Sequence, residues 1–539
     1  MSRGLGLSWP GLLRLARAWP GLPRLALGWL GLLGLALGVR VLLDSRSGWL
    51  IEGDDALSAL MALAILDGDR PLMLKSQSYA SAWEPYAMAL SYVAFGVSRV
   101  SAKLPELLNS TALVGTTWLL GREVAGRTAA WLAALLMALP PVYVLVLSLK
   151  SLAPYTEVML FGTLSLWCAI RLAFPRPGQR DRGWALAAGV FGGLAFWMHP
   201  LAVWYLAPAA SIVALRARGW RLLGAAGLGL IGFLAGGLPV WLYNLQTGGA
   251  TSKFVLAGTR GQTADRLAVF SAWWNADLPR GAGLWHPWGP NPPLLGWLMG
   301  SVVVAAVAWA VLARTRLTWR PLDGLLLLLV VIPLIFVFSG FGGPALNPYG
   351  FDATGRYAPA IWTGLSIIIG AFAAATAKLN RGLAGLLVGA VLAVDAAGVA
   401  SIDPRQAFQS SYWDKLPVDN TPLLNVLRQQ GVTTVWMNHW AGQPLMFDAR
   451  VAGQPLIAYD WYDVQAGGID RFPEYLPLVR AAARPAFVLV TDEPQPALLD
   501  RLGVLGVAYD AQRVPPYVVV VPDRPVDPSQ VGDALDYRY

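Results

Sequence analysis

Apolar runs long enough to cross a bilayer alternate with short polar connections through the first three quarters of the chain. A spanning helix needs about 20 mostly apolar residues. Runs of this kind fall near residues 27–43, 103–121, 128–148, 155–172, 184–198, 200–215, 222–243, 294–312, 323–339, 357–376 and 382–400. The pattern predicts about eleven transmembrane helices. The fifth and sixth runs meet at His199-Pro200, a tight turn, because proline cannot continue a helical hydrogen-bond ladder. The apolar run 83–96 is shorter. In 54–67, Leu57, Leu60, Met61, Ala64 and Ile65 share one face at helical spacing. Both stretches are expected to lie on the membrane surface as amphipathic helices; a twelfth span over 83–96 is the alternative.

Charge sets the expected orientation. Basic residues gather in every second connection: Arg122 with Arg127, Arg171 to Arg182, Arg216 to Arg221, Arg314 to Arg320, and Lys378 with Arg381. By the positive-inside rule these connections and the N-terminal arm are cytoplasmic. Residues 44–100, 244–292, 340–356 and everything after about 401 then face outward. The last region is far less apolar. A helical run L-L-N-V-L-R-Q-Q and the strand-like runs T-T-V-W-M-N, F-V-L-V-T and Y-V-V-V-V-P predict a small α/β domain. The expected organisation is a basic arm over 1–26, a membrane domain over 27–400 and an extracytoplasmic α/β domain over 401–539. The fold class is mainly α, polytopic, in a multi-pass plasma-membrane protein.

Composition agrees. The 539 residues are 56% hydrophobic and only 14% charged, against about a quarter charged in soluble domains. The net charge of +9 would suggest nucleic acid in a soluble protein; here it sits in membrane loops, and nucleic acid is excluded as a partner. The single cysteine, Cys168, lies within an apolar run, so neither a disulfide framework nor a cysteine metal cluster exists within one chain. No cleavage site follows the N-terminal arm, which repeats W-P-G-L-x-R-L-A from Trp9 and Trp19; it is expected to be retained on the inner surface.

The chemistry concentrates behind the first span. Asp44, Glu52, Asp54, Asp55, Asp67, Asp69 and Glu84 all fall in one outer segment. Carboxylates at a membrane edge are costly to keep and point to function. The order Asp54-Asp55-Ala56, amphipathic helix, Gly68-Asp69-Arg70-Pro71, then Gln77-Ser78-Tyr79 with Glu84 and Tyr86 resembles the GT-C superfamily of membrane glycosyltransferases. The branch it most resembles comprises the bacterial relatives of protein O-mannosyltransferases and lipid A aminoarabinose transferases. Further matches are Gly121-Arg122 with Gly126-Arg127, Tyr155-Thr156-Glu157, Trp197-Met198-His199-Pro200, Pro239 to Leu245, and the R-Y-x-x-P element Arg356-Tyr357-Ala358-Pro359. Two positions depart: Ser76 stands where the family has glycine, and Lys75 where an aromatic is common.

The resemblance implies transfer of a sugar from a polyprenyl-phosphate donor to an acceptor hydroxyl on the outer face. The acceptor is a glycan, lipid or protein. A phosphate leaving group needs no protonation, so one general base suffices for an inverting displacement. Asp54 takes that role, with Asp55 orienting it or binding a cation, and Glu157 placing the acceptor. Arg356 is the leading phosphate ligand, since guanidinium contacts two oxygens at once; Lys75 and Arg70 follow. Gln77, Tyr79, Glu84, Tyr86, Tyr357 and His199 complete the substrate-binding set. Carboxylates from separate loops could hold a divalent cation through oxygen, but no dedicated metal motif is present and no metal is assigned. The competing reading is a lipid or sugar transporter; polar residues crowded at one face and nearly pure apolar spans weigh against it.

Overall fold

The computed structural model describes residues 22–151, 153–178, 181–259, 266–313, 318–339, 356–409, 415–493 and 496–535. The arm before residue 22 with most of its repeat, the basic loop residues Arg180, Arg314 and Arg316, the glycine-rich stretch 340–343 and residues 352–355 lie outside the described residues.

Helices appear where the apolar pattern puts them: α1 Leu22–Ser47, α2 Gly53–Leu66, α3 Trp83–Phe95, α4 Arg99–Ala138, α5 Tyr155–Ala173, α6 Asp181–Met198, α7 Val203–Arg216, α8 Gly219–Gly236, α9 Pro293–Leu312, α10 Asp323–Phe338, α11 Ala360–Leu379 and α12 Arg381–Ser401. Among the described residues, six are long and apolar enough to cross a membrane, and α7 with its leading turn and α10 are shorter apolar helices. At 13 residues, α3 extends about 20 Å, short of a hydrocarbon core of about 30 Å. Its length suits a surface helix.

Two expected spans share α4. Gly126, with φ 87° and ψ −179°, breaks its helical geometry, a conformation open only to glycine. A Cβ on Gly121 would lie 3.2 Å from Cα of Ala130. In a straight helix nine residues separate such positions by about 13 Å, so α4 folds back on itself as a hairpin at Gly126. Two expected boundaries change. The third run stops at Ala138, ahead of Pro140-Pro141, and a separate turn of helix covers Val142–Leu147. The seventh divides at Gly237, before Leu238-Pro239. In both, proline interrupts the ladder where hydropathy alone ran on. Elsewhere α6 and α8 pack backbone against backbone: added Cβ atoms on Gly189, Gly193, Gly232 and Gly236 would all meet the other helix's carbonyl oxygens within 2.3 Å. Close approach through small residues is how membrane helices gain packing.

The C-terminal region builds one sheet in the order β2-β1-β3-β5-β4, from β1 Thr434–Met437, β2 Ile457–Tyr459, β3 Ala486–Val490, β4 Tyr509–Val514 and β5 Tyr517–Pro522. β2-β1-β3 is parallel; β5 and β4 add antiparallel. β1, β3 and β5 are fully buried; these are the three strands legible as apolar runs. The short β2 and the exposed, polar β4 were not legible. The sheet domain shares one hydrophobic core with residues 51–102, so α2 and α3 are wedged between it and the membrane helices. The closest seam is at Gly53, where a Cβ would stand 2.9 Å from the ring of Trp440.

Candidate active site

Neighbouring residues on an α-helix point about 100° apart, so Asp54 and Asp55 in the first turn of α2 face different surroundings. Asp55 is buried. Its carboxylate accepts from Lys103 Nζ at 2.6 Å, from the backbone N–H of Ser151 at 2.6 Å and from that of Glu52 at 3.3 Å. The last bond closes the reciprocal cap that starts α2. With its oxygens so occupied, Asp55 has the geometry of an anchor that fixes the direction of Asp54.

Around Asp55 lies a buried polar layer. Lys150 pairs with Glu52 at 3.0 Å. The Ser151 hydroxyl donates to Glu84 Oε2, with Ser58 Oγ 3.0 Å away. Asn109 Nδ2 donates to Glu157 Oε1 at 2.6 Å. Burial, then the charge of Glu157, holds the Glu84 carboxyl well above the usual carboxylate range. Burial also pushes Glu52 up to about 7, with Lys150 opposing and Asp55 and Asp54 adding. Glu84 and Glu157 are thus embedded, 2% and 0% exposed, in the layer that ties α2, α3, α4 and α5 together.

Asp54 points the other way. Its Oδ1 meets Arg471 Nη2 at 3.0 Å, with the two side chains 16% and 11% exposed. Arg471 comes from the sheet domain, 417 residues along the chain. Tyr79 stands in the same field, neighboured by Tyr357, Arg356, Asp54 and Arg471, and burial pushes its hydroxyl up to about 12. Tyr79 stacks on Phe254 at 4.4 Å and meets His199 edge-on at 5.4 Å. Tyr155 packs on His199 and on Tyr357 at 5.5 and 5.6 Å. Arg356 Nη2 donates to the Tyr357 hydroxyl at 3.1 Å. His199 Nδ1 accepts the N–H of Leu201 at 3.1 Å, which assigns its proton to Nε2; burial, then Arg356, pushes its pKa down to about 3. It is a neutral ring that caps a turn and offers one N–H donor.

The loop carrying Lys75, Ser76 and Gln77 is clamped from two sides. Trp197 Nε1 donates to Leu72 O at 3.1 Å, and the Ser81 N–H to Met198 O at 3.1 Å. On the sheet-domain side Lys75 pairs with Glu474 and lies 4.9 Å over the Phe472 ring, while Ser76 Oγ donates to Asp470 O. Ser76 has φ +58°, in the left-handed region that favours glycine, the residue the resemblance leads one to expect at this position.

Of the sequence-assigned residues, Asp54, Tyr79, His199, Arg356 and Tyr357 converge, with Tyr155 beside them. Gln77 is buried in the adjoining turn, and Lys75 borders it. Asp55, Glu84 and Glu157 form the layer behind. Tyr86 belongs elsewhere: it neighbours Arg70, whose guanidinium donates to Ile65 O and Asp69 O. That is the far end of α2, about 20 Å from Asp54 for 14 residues. Arg471, Lys103, Lys150 and Ser151 were missed. Lys103 and Lys150 had a signal, since each sits at a span edge; Arg471 had none. Among the described residues, one group has ligand character for a cation: His439, Asp460 and Asp463, with donor atoms within 4.8 Å of one another. Asp460 already accepts the N–H groups of His439 and Asp463 at 2.8 and 3.0 Å and faces His439 Nδ1 at 2.9 Å. That pattern is a helix-capping network, and no metal role follows from it. The cavity of ≈ 130 Å³ lined by Tyr143, Arg280, Trp285, His286 and Asp395 is a separate one, with none of the Asp54 cluster in its walls.

Comparison with known proteins adds two findings. A family model described as dolichyl-phosphate-mannose-protein mannosyltransferase matches residues 83–243. The fold is similar to that of ArnT from Cupriavidus metallidurans bound to undecaprenyl phosphate, at 15% identity and TM-score 0.60, covering 92% of this chain and 98% of that one. Its apo state gives TM-score 0.56 at the same identity and coverage. The arabinofuranosyltransferase AftD from mycobacteria is similar at 13% identity and TM-score 0.52, over 91% of this chain and 39% of that one. No curated protein matches the chain in sequence. The chain thus shares its fold with ArnT along nearly its whole length, and the stretch from α3 to α8 carries the mannosyltransferase family pattern.

Proposed function

We propose that the chain transfers a sugar from a polyprenyl-phosphate donor to an acceptor hydroxyl, with Asp54 as general base. The acceptor O–H gives its proton to Asp54, and the oxygen attacks the anomeric carbon from the face opposite the phosphate. The bond from that carbon to the phosphate oxygen breaks, and its electron pair leaves with polyprenyl phosphate. The observation that carries this reading is the cluster itself: a part-exposed carboxylate on a helix N-terminus, facing guanidinium groups and neutral tyrosine and imidazole donors. Arg356 binds the phosphate; Tyr79, Tyr357 and His199 bind hydroxyls; Asp55 and its buried layer hold Asp54 in place. The ArnT structure with undecaprenyl phosphate supports a polyprenyl carrier. The charge pattern supports a plasma-membrane protein with a cytoplasmic N-terminus and an extracytoplasmic sheet domain.

The test incubates purified protein with labelled polyprenyl-phosphate sugars and an envelope extract as acceptor, and follows free polyprenyl phosphate by mass spectrometry. Release is expected, falling about 10²–10⁴-fold in Asp54→Asn, the usual contribution of a general base. Unchanged release in Asp54→Asn removes Asp54 from the role, and no release from any donor removes the donor class.

A further inference from the structure

Resting on that donor reading, we infer that Arg471 is a donor-phosphate ligand delivered by the sheet domain, and that its ion pair with Asp54 is the resting state which phosphate binding undoes. Three observations lead there. First, Arg471 reaches the proposed base itself, at 3.0 Å; as long as the guanidinium stays, Asp54 Oδ1 is committed to it. Second, among the described residues, the buried Nε atoms of both Arg471 and Arg356 have no hydrogen-bond partner. A buried guanidinium N–H without an acceptor is costly, and a phosphate oxygen is the acceptor its planar fork matches best. Both guanidiniums lie in the electrostatic neighbourhood of Tyr79, which makes the surroundings of that ring favourable for an anion. Third, Arg471 belongs to a segment already fastened to the loop of Lys75, Ser76 and Gln77 through Lys75–Glu474, Lys75 over Phe472, and Ser76 to Asp470. The segment is held in place while the guanidinium is left to exchange partners, and a cavity of ≈ 30 Å³ lies against it.

The logic is competition for one cation. A phosphate offers more charge and more acceptor oxygens than a single carboxylate, so donor binding draws Arg471 off Asp54. The base is then released when a donor is present to be attacked. No bond is made or broken in the exchange.

The experiment measures binding of undecaprenyl phosphate to full-length protein in nanodiscs, which needs no catalysis. Arg471→Gln should weaken binding about tenfold or more, the loss of charge-assisted hydrogen bonds, and Arg471→Lys less. Asp54→Asn should tighten binding, because the guanidinium no longer has to leave a carboxylate. The double variant should match Arg471→Gln alone. Both single changes break the same ion pair, so opposite effects on affinity separate ligand binding from mere domain fastening, which would move both the same way. Binding by the wild type that neither variant alters, or that both weaken, overturns the assignment of Arg471 and leaves the donor class standing. Failure of the wild type to bind polyprenyl phosphate overturns both.

Discussion

Lys103 and Asp55 are each 1% exposed and lie 2.6 Å apart, and replacing Lys103 by Met tests how the first turn of α2 is held. Breaking a buried pair by deleting one partner costs about 3–5 kcal/mol, because the other charge is left uncompensated. Here Asp55 would keep two backbone donors, from Ser151 and Glu52, so the lower end, about 3 kcal/mol, is expected. Asp55→Leu should cost at least as much, since it strands the ammonium and those two N–H groups together. The double variant Lys103→Met/Asp55→Leu removes both charges and leaves only the N–H groups orphaned, at about 1–3 kcal/mol each. Its cost should therefore fall below the sum of the singles by at least about 3 kcal/mol. The measurement is the midpoint of SDS-driven unfolding in mixed micelles, read by tryptophan fluorescence. A Lys103→Met protein within about 1 kcal/mol of wild type, or strictly additive singles, would refute the claim that this pair anchors the turn.

Other outcomes follow from the same geometry. Glu52 binds its proton more tightly folded than unfolded, because burial pushes it up to about 7; its contribution is therefore present at low pH and lost as pH rises from about 5 through 7. Glu52→Gln should flatten that fall in the unfolding midpoint, and an unchanged slope would count against it. Gly126→Ala places a side chain at φ +87°, which should cost about 1–3 kcal/mol and lower the thermal midpoint; a neutral effect would mean that the α4 hairpin does not depend on this turn. Arg356→Lys should raise KM for the donor more than it lowers kcat, since one ammonium cannot replace the fork; a pure kcat effect would place Arg356 elsewhere in the cycle. Cys168 is 1% exposed, so Arg501→Cys on the exposed face of the sheet domain can be labelled over a low background. A membrane-impermeant maleimide should modify it in intact cells, and protection until lysis would reverse the proposed orientation.

The sequence by itself determined what depends on local pattern. Hydropathy located the membrane helices, because backbone in lipid must satisfy its own hydrogen bonds and so declares itself in long apolar runs. It also located α2 and α3 and the apolar strands β1, β3 and β5, and the acidic residues of the first outer segment stood out against such runs; Tyr79, His199, Arg356 and Tyr357 were legible only through motifs that resemble the GT-C superfamily. Only tertiary structure decided what those residues meet. Adjacent carboxylates diverged into an anchor, Asp55, and a part-exposed partner, Asp54, through about one hundred degrees of helix rotation. Glu84 and Glu157 went inside, where Ser151 and Asn109 receive them, and Tyr86 went to the far end of α2. Arg471 reached Asp54 across 417 residues, through a sheet domain whose core is continuous with α2 and α3. A contact of that range leaves no trace in local spacing, since it is fixed by how two apolar surfaces close on each other and not by any run of residues along the chain.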